Sequence, residues 1–197
     1  MAAPPPLTRG DVLQQFKLRG LQVQADAVER VLQAVRFELH QGARLAAILE
    51  RSKHDRVEAM SPFIAPTREF ERRTRGRNWV ERVACTWVTM AFLQDFWRQL
   101  AAGLPKAIRR DVIAALESDT MIDALRAELE RRIALEPSLR PTLALWARRL
   151  VGDTMLMAES ALVHANNPVA LADGIEPVFT DLIAAHSVRM DALGLTA

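Results

Sequence analysis

Residues Leu143–Val163 read LALWARRLVGDTMLMAESALV. Apolar side chains fall at Leu143, Trp146, Leu150, Met157 and Ala161, in steps of three, four or seven. That is the stripe of an amphipathic helix with one face turned to a core. Asp153 sits inside the stripe, where the period would place another apolar residue. A carboxylate on an apolar face is costly unless it is paired or holds a metal. Arg149, four residues earlier, offers an i,i+4 ion pair, and a structural pair is the expectation the residues favour. The stretch therefore states a fold, helices packed on helices, together with one question about what its acid does.

Working outward, the same periodicity recurs. Trp79 to Leu100 carries one stripe of Val83, Met90, Leu93, Trp97 and Leu100 and a second of Val88, Phe92 and Phe96. A helix apolar on most sides belongs at the centre of its domain. Pro105 opens a further helix at a favoured first-turn position. It is expected to run to about Ala134, with Val112, Leu116, Leu125, Leu129 and Ile133 inward and an interruption at Glu117-Ser-Asp-Thr. Glu136-Pro137 ends it, because proline restricts the residue before it. The quoted helix then spans 138–165, and Asn166-Asn-Pro makes a turn. A last helix over 175–193 puts Val178, Phe179, Leu182, His186 and Met190 on one face, with Gly194 stopping it.

Upstream, residues 1–8 read as a Pro-rich disordered tail. A short helix is expected near 9–18, capped by Thr8 and broken by Gly20. A longer one follows over 24–52, where Val28, Leu32, Val35, Leu39, Gly42, Ala46 and Leu49 share a face. Residues 53–78 read as a loop punctuated by Pro62, Pro66 and Gly76. No strand pattern is found. The expected architecture is an all-α up-down helical bundle, one domain over 9–197.

Composition narrows the function classes. The 197 residues are enough for one domain with a real core. The net charge is only +2, so bulk electrostatics do not demand a nucleic-acid partner. A single cysteine, Cys85, excludes an internal disulfide and a multi-cysteine zinc site. It lies in an apolar helix and reads as an inert buried thiol. No secretory signal pattern and no membrane-length apolar run occur, so a cytoplasmic protein with no membrane partner is expected. No Gly-rich phosphate loop is present, and no nucleophile-base-acid order stands out.

The polar residues on otherwise apolar helices are the only chemical candidates: Glu38, His40, Asp119, Asp123, Asp153, His164 and His186. Carboxylates and histidines projecting into a bundle can bind a pair of iron or manganese ions, typically with Glu-x-x-His on two helices. That motif is absent from the chain, and Glu38-Leu-His40 has an i,i+2 spacing that points its ends apart. Asp153 and His164 share a face but stand about 16 Å apart. For His186 a satisfied core histidine is the expectation. The cluster Arg72, Arg73, Arg75 and Arg77 could contact phosphate, although a solvated loop explains it more simply. Met90, Trp97, Trp146, Met155 and Met157 could surround a hydrophobic ligand, although plain core explains them more simply.

Five pieces of the chain carry a resemblance: EAMSPFIAP, NWVERV, QDFWRQLA, LALWARRLVGD and AAHSVRMDALGL. In this order and spacing, over about residues 59–195, they resemble actinobacterial ferritin-like proteins related to the tRNA hydroxylase that acts on 2-methylthio-N6-isopentenyladenosine. The resemblance implies a ferritin-like bundle and, in catalytic relatives, a non-haem di-iron centre. Carried over residue by residue, Glu38 takes the place of a motif glutamate, but Gln41 stands where its histidine belongs. Asp119 matches the second acidic position, with Ile122 in place of the histidine, and Thr89 falls where a third-helix carboxylate is expected. Such a centre needs carboxylate bridges and nitrogen ligands, so the resemblance implies an eroded site. The expected function is a non-catalytic ferritin-like protein, binding or scaffolding, with no resident cofactor and with a protein partner or its own copy. The alternative is a divergent di-iron oxygenase acting on modified tRNA. It would use iron held among Glu38, Asp119, Asp153 and one of His40 or His186, with RNA steered by Arg72, Arg73, Arg75 and Arg77.

Overall fold

A computed structural model describes residues 39–117, 120–164 and 175–195. Residues 39–51 are helical (α1). The helices α2 (Arg56–Thr74), α3 (Trp79–Ala101), α4 (Lys106–Leu116), α5 (Thr120–Leu135), α6 (Leu139–His164) and α7 (Ile175–Ala192) follow. No strand occurs among the described residues, in agreement with the all-α bundle expected from the periodicity. The expected disordered tail at 1–8 and short helix near 9–18 lie outside the described residues.

The core is built around α3. Trp87 and Val88 are almost fully buried, and Phe92 and Phe96 are fully so. The helix contacts α4, α5, α6 and α7. Leu125, Leu129 and Ile133 of α5, Leu143 and Leu150 of α6, and Leu182 and Met190 of α7 complete this cluster. Phe96 stacks on Phe179 of α7 with ring centroids 6.3 Å apart. Of the two stripes expected on α3, the one with Val88, Phe92 and Phe96 is the deeper, whereas Trp97 stays partly in solvent.

Helix ends follow local chemistry. Asn78 caps α3 by accepting from the Glu81 backbone N–H at 2.9 Å. The Glu81 carboxylate accepts from the Arg77 backbone N–H, one residue before the cap, at 2.7 Å, which fixes the chain's entry into the helix. Helix α4 ends where the sequence suggested an interruption, and its Leu116 carbonyl accepts from the Gln94 amide and the Arg98 guanidinium of α3. Gly194 stops α7 at φ +64°, and the Leu195 N–H donates to the Met190 carbonyl at 2.9 Å. That left-handed closure favours glycine.

Residues 53–78 are not a loop. Most of the segment is α2, with Pro62 and Pro66 inside it and Asp55 capping it through the Glu58 N–H at 2.8 Å. Two prolines suggested breaks, because each removes a donor and clashes one turn back. Pro62 lies on the exposed side, where water can take the carbonyl it releases. Opposite it, Ala59, Phe63, Pro66, Phe70 and Thr74 form the inward face, a three-four period that packing upholds over the local penalty. Helix α2 docks chiefly on α6. It turns into α3 through the buried Gly76, where an added Cβ would meet the Arg82 backbone nitrogen at 2.6 Å.

Because α3 organises the core, Phe92→Ala is expected to cost about 3–5 kcal/mol in urea unfolding. Leu145→Ala, on the exposed face of α6, is expected to cost under about 0.5 kcal/mol. Similar losses for the two would contradict this placement of the core.

Candidate functional site

Asp153 faces two guanidiniums. Arg149, one turn earlier on α6, stands 3.7 Å from it, and Arg73 reaches across from α2 to 3.4 Å. The carboxylate is largely shielded from water and both arginines are half-exposed or more. Arg149 also lies over the Trp146 ring, 5.7 Å from its centroid, which holds its head beside Asp153. The i,i+4 pair was legible from spacing alone. Arg73 was not, because a segment punctuated by Pro62, Pro66 and Gly76 gives it no defined face.

The remaining arginines of that cluster are also mostly engaged. Arg72 pairs with Glu69 at 2.6 Å, and Arg77 with Glu81 at 3.5 Å. The Arg72 hydrogen bond is the main reason that the Glu69 carboxyl is held below its ordinary value. Arg75 has no ion pair among the described residues. Two other polar candidates of the sequence face solvent: His40 is exposed, and Asp123 lies on the surface 4.0 Å from Arg126. Glu38 and Asp119, and the side chain of His164, lie outside the described residues.

His186 is buried on the inward stripe of α7 with Leu182 and Met190. Burial, aided by the nearby Arg189 cation, pushes its pKa down from 6.5 to about 4. Arg189 itself pairs with Asp95 of α3. Glu128, a buried acid on α5, is also structural. Burial pushes its carboxyl up, but hydrogen bonds from Arg131 and Arg132 outweigh that and hold it below its ordinary value.

A cleft of about 420 Å³ opens between α2 and α3. Its walls are Thr67, Phe70, Glu71 and Thr74 on one side and Arg82, Cys85, Thr86, Thr89, Met90 and Leu93 on the other, with Met157 of α6 and the turn residues Arg75 and Gly76. Burial pushes the Cys85 thiol up, the Thr74 and Thr89 hydroxyls offset part of this, and the Asp153 carboxylate adds to it. Cys85 is therefore a neutral thiol near pH ~7 and a poor nucleophile. The buried Thr89 hydroxyl finds no oxygen or nitrogen partner among the described residues; the Cys85 thiol stands against it. Cys85, Thr89, Met90, Met157 and Arg75 were each singled out in the sequence. Their convergence was hidden, since one wall of the cleft is α2.

The resemblance implies a di-iron centre in catalytic relatives, and the described residues do not fit one. Among them no three His, Cys, Asp or Glu side chains come together to hold a metal ion. Asp153 is committed to two cations, which repel a third. Thr89 supplies a neutral hydroxyl. His186 is the sole buried imidazole among the described residues, and Arg189 beside it disfavours a further positive charge.

Buried neutral, His186 gives the fold a pH dependence. Above its ordinary pKa of ~6.5 both folded and unfolded states leave it neutral. As pH falls from about 6.5 towards 4, the unfolded chain takes up a proton that the folded chain refuses, so stability declines. Urea unfolding is expected to show a loss on the order of 2 kcal/mol from this group between pH ~7 and ~5. The variant His186→Gln should lose that part of the slope. An unchanged slope would mean that the imidazole titrates in the folded protein.

Residues 24–173 match the family described as Ferritin-like domain, actinomycetes. No curated protein matches the chain. The matched residues contain α1 to α6 entirely, with the Asp153 pairs and the whole α2–α3 cleft. The chain belongs to this actinomycete family of ferritin-like domains.

Proposed function

We propose that this ferritin-like bundle is a non-catalytic binding protein whose di-iron chemistry is eroded. The observation that carries the reading is the state of Asp153. It is the one acid that the sequence places on the apolar stripe of its most periodic helix, and it serves as counter-ion to Arg73 and Arg149. A ligand carboxylate for iron must be free to bridge metal ions beside nitrogen donors. Here the carboxylate ties α2 to α6, and the Thr89 position offers no charge.

The resemblance to tRNA hydroxylases bears on relatives that keep the ligand set. In this chain Gln41 and Ile122 replace the two motif histidines. Gln41 is buried, and its side-chain amide nitrogen has no hydrogen-bond partner among the described residues. An amide nitrogen has no lone pair to give a metal. The arginine cluster also fits RNA poorly, since Arg72, Arg73 and Arg77 already neutralise carboxylates of the same chain.

The test is metal content. Full-length protein is loaded anaerobically with ferrous iron, desalted and analysed for elemental iron. The expected result is well below one iron per chain, unchanged by Asp153→Ala. A stoichiometric iron pair that Asp153→Ala removes would contradict the proposal and restore the oxygenase reading.

A further inference from the structure

The α2–α3 cleft has a direction. Helices α2 and α3 are joined through Gly76, so the cleft has a turn end and a far end. Arg75, Gly76 and Arg82 line the turn end. The Arg82 Nε donates to the Gly76 carbonyl at 3.2 Å, which fixes its guanidinium there. Cys85, Thr89, Met90 and Leu93 follow along α3, with Phe70 opposite on α2 and Met157 from α6. From Arg82 to Leu93 the helix rises about 16 Å. Cations thus stand at one end and thioethers, an aromatic ring and a leucine along the rest. Glu71 is the one acid in the lining, against two arginines.

We propose that this cleft binds a small amphiphile with one anionic head and an unbranched apolar tail, of the class of medium-chain carboxylates. This rests on the binding-protein reading above and names the ligand class for it. The volume lies within the range of small-molecule sites, ~300–1,000 Å³, and is too small for a partner's helix. The tail covers the apolar wall, which no other described residue covers. The head meets Arg75, which has no ion pair among the described residues, and Arg82 beside it. A carboxylate suits planar guanidinium donors, whereas a cationic head would face two like charges.

Calorimetric titration of the full chain with sodium dodecanoate, kept below its micelle concentration, tests this. The expected result is one saturable site per chain, with no comparable binding of dodecyltrimethylammonium. Arg75→Glu should weaken binding roughly three- to tenfold. Thr86→Trp, an exposed position on the cleft wall, should fill the mouth and weaken it at least about tenfold. Circular dichroism of both variants checks the fold, and neither position is in the core. No binding by the parent chain would mean that the cleft is covered by another part of the chain or by a second copy, and overturns the proposal. So would equal binding of the cationic amphiphile, or variants that bind like the parent. Iron content measured on the same protein separates the two ideas. Stoichiometric iron with dodecanoate binding intact defeats the non-catalytic reading alone, and absent iron with absent dodecanoate binding defeats this one alone.

Discussion

The burial of α3 is the constraint that the rest of the chain answers to. A helix carrying Val83, Trp87, Val88, Phe92 and Phe96 is apolar around most of its circumference. It must be surrounded, and α4, α5, α6 and α7 all touch it. The polar groups that remain on it are then used as ties. Gln94 and Arg98 hold the end of α4, and Asp95 holds Arg189 of α7. The cost of ordering those side chains is modest, because the helices they join are already fixed by apolar contact.

Helix α2 is the exception to this arrangement, and its attachment creates the cleft. It is secured to α6 by packing and by the Arg73–Asp153 pair. It reaches α3 through its C-terminal end and the close backbone approach at Gly76. Farther from the turn the two helices are spanned by a space rather than by a packed layer. The same ion pair that occupies the Asp153 carboxylate therefore helps to hold one wall of the cleft in place.

The bundle was legible because the core helices repeat their apolar residues over more than three turns, from Val83 to Phe96 or from Leu143 to Leu162. The stops at Glu136-Pro137 and Gly194 were legible from backbone chemistry alone. Helix α2 was hidden because Pro62 and Pro66 outweighed, by local rules, a stripe that only its docking partner makes worthwhile. Losing α2 cost the reading of the site as well. Arg73 had no face, Asp153 had only Arg149, and the residues of the cleft stayed scattered among unrelated roles. The proposed erosion of the metal motif rests on single positions, Gln41, Thr89 and Ile122, which carry no pattern of their own and take their meaning only from the resemblance.

The central proposal is that Asp153 belongs to two arginines and not to a metal. Crystals grown anaerobically with ferrous iron, measured at the iron absorption edge, test it at the atom. The account predicts no anomalous peak within bonding distance of Asp153, Thr89 or His186, with Arg73 and Arg149 on the Asp153 carboxylate. A pair of peaks between the helices, bridged by that carboxylate and with the arginines turned away, would contradict it.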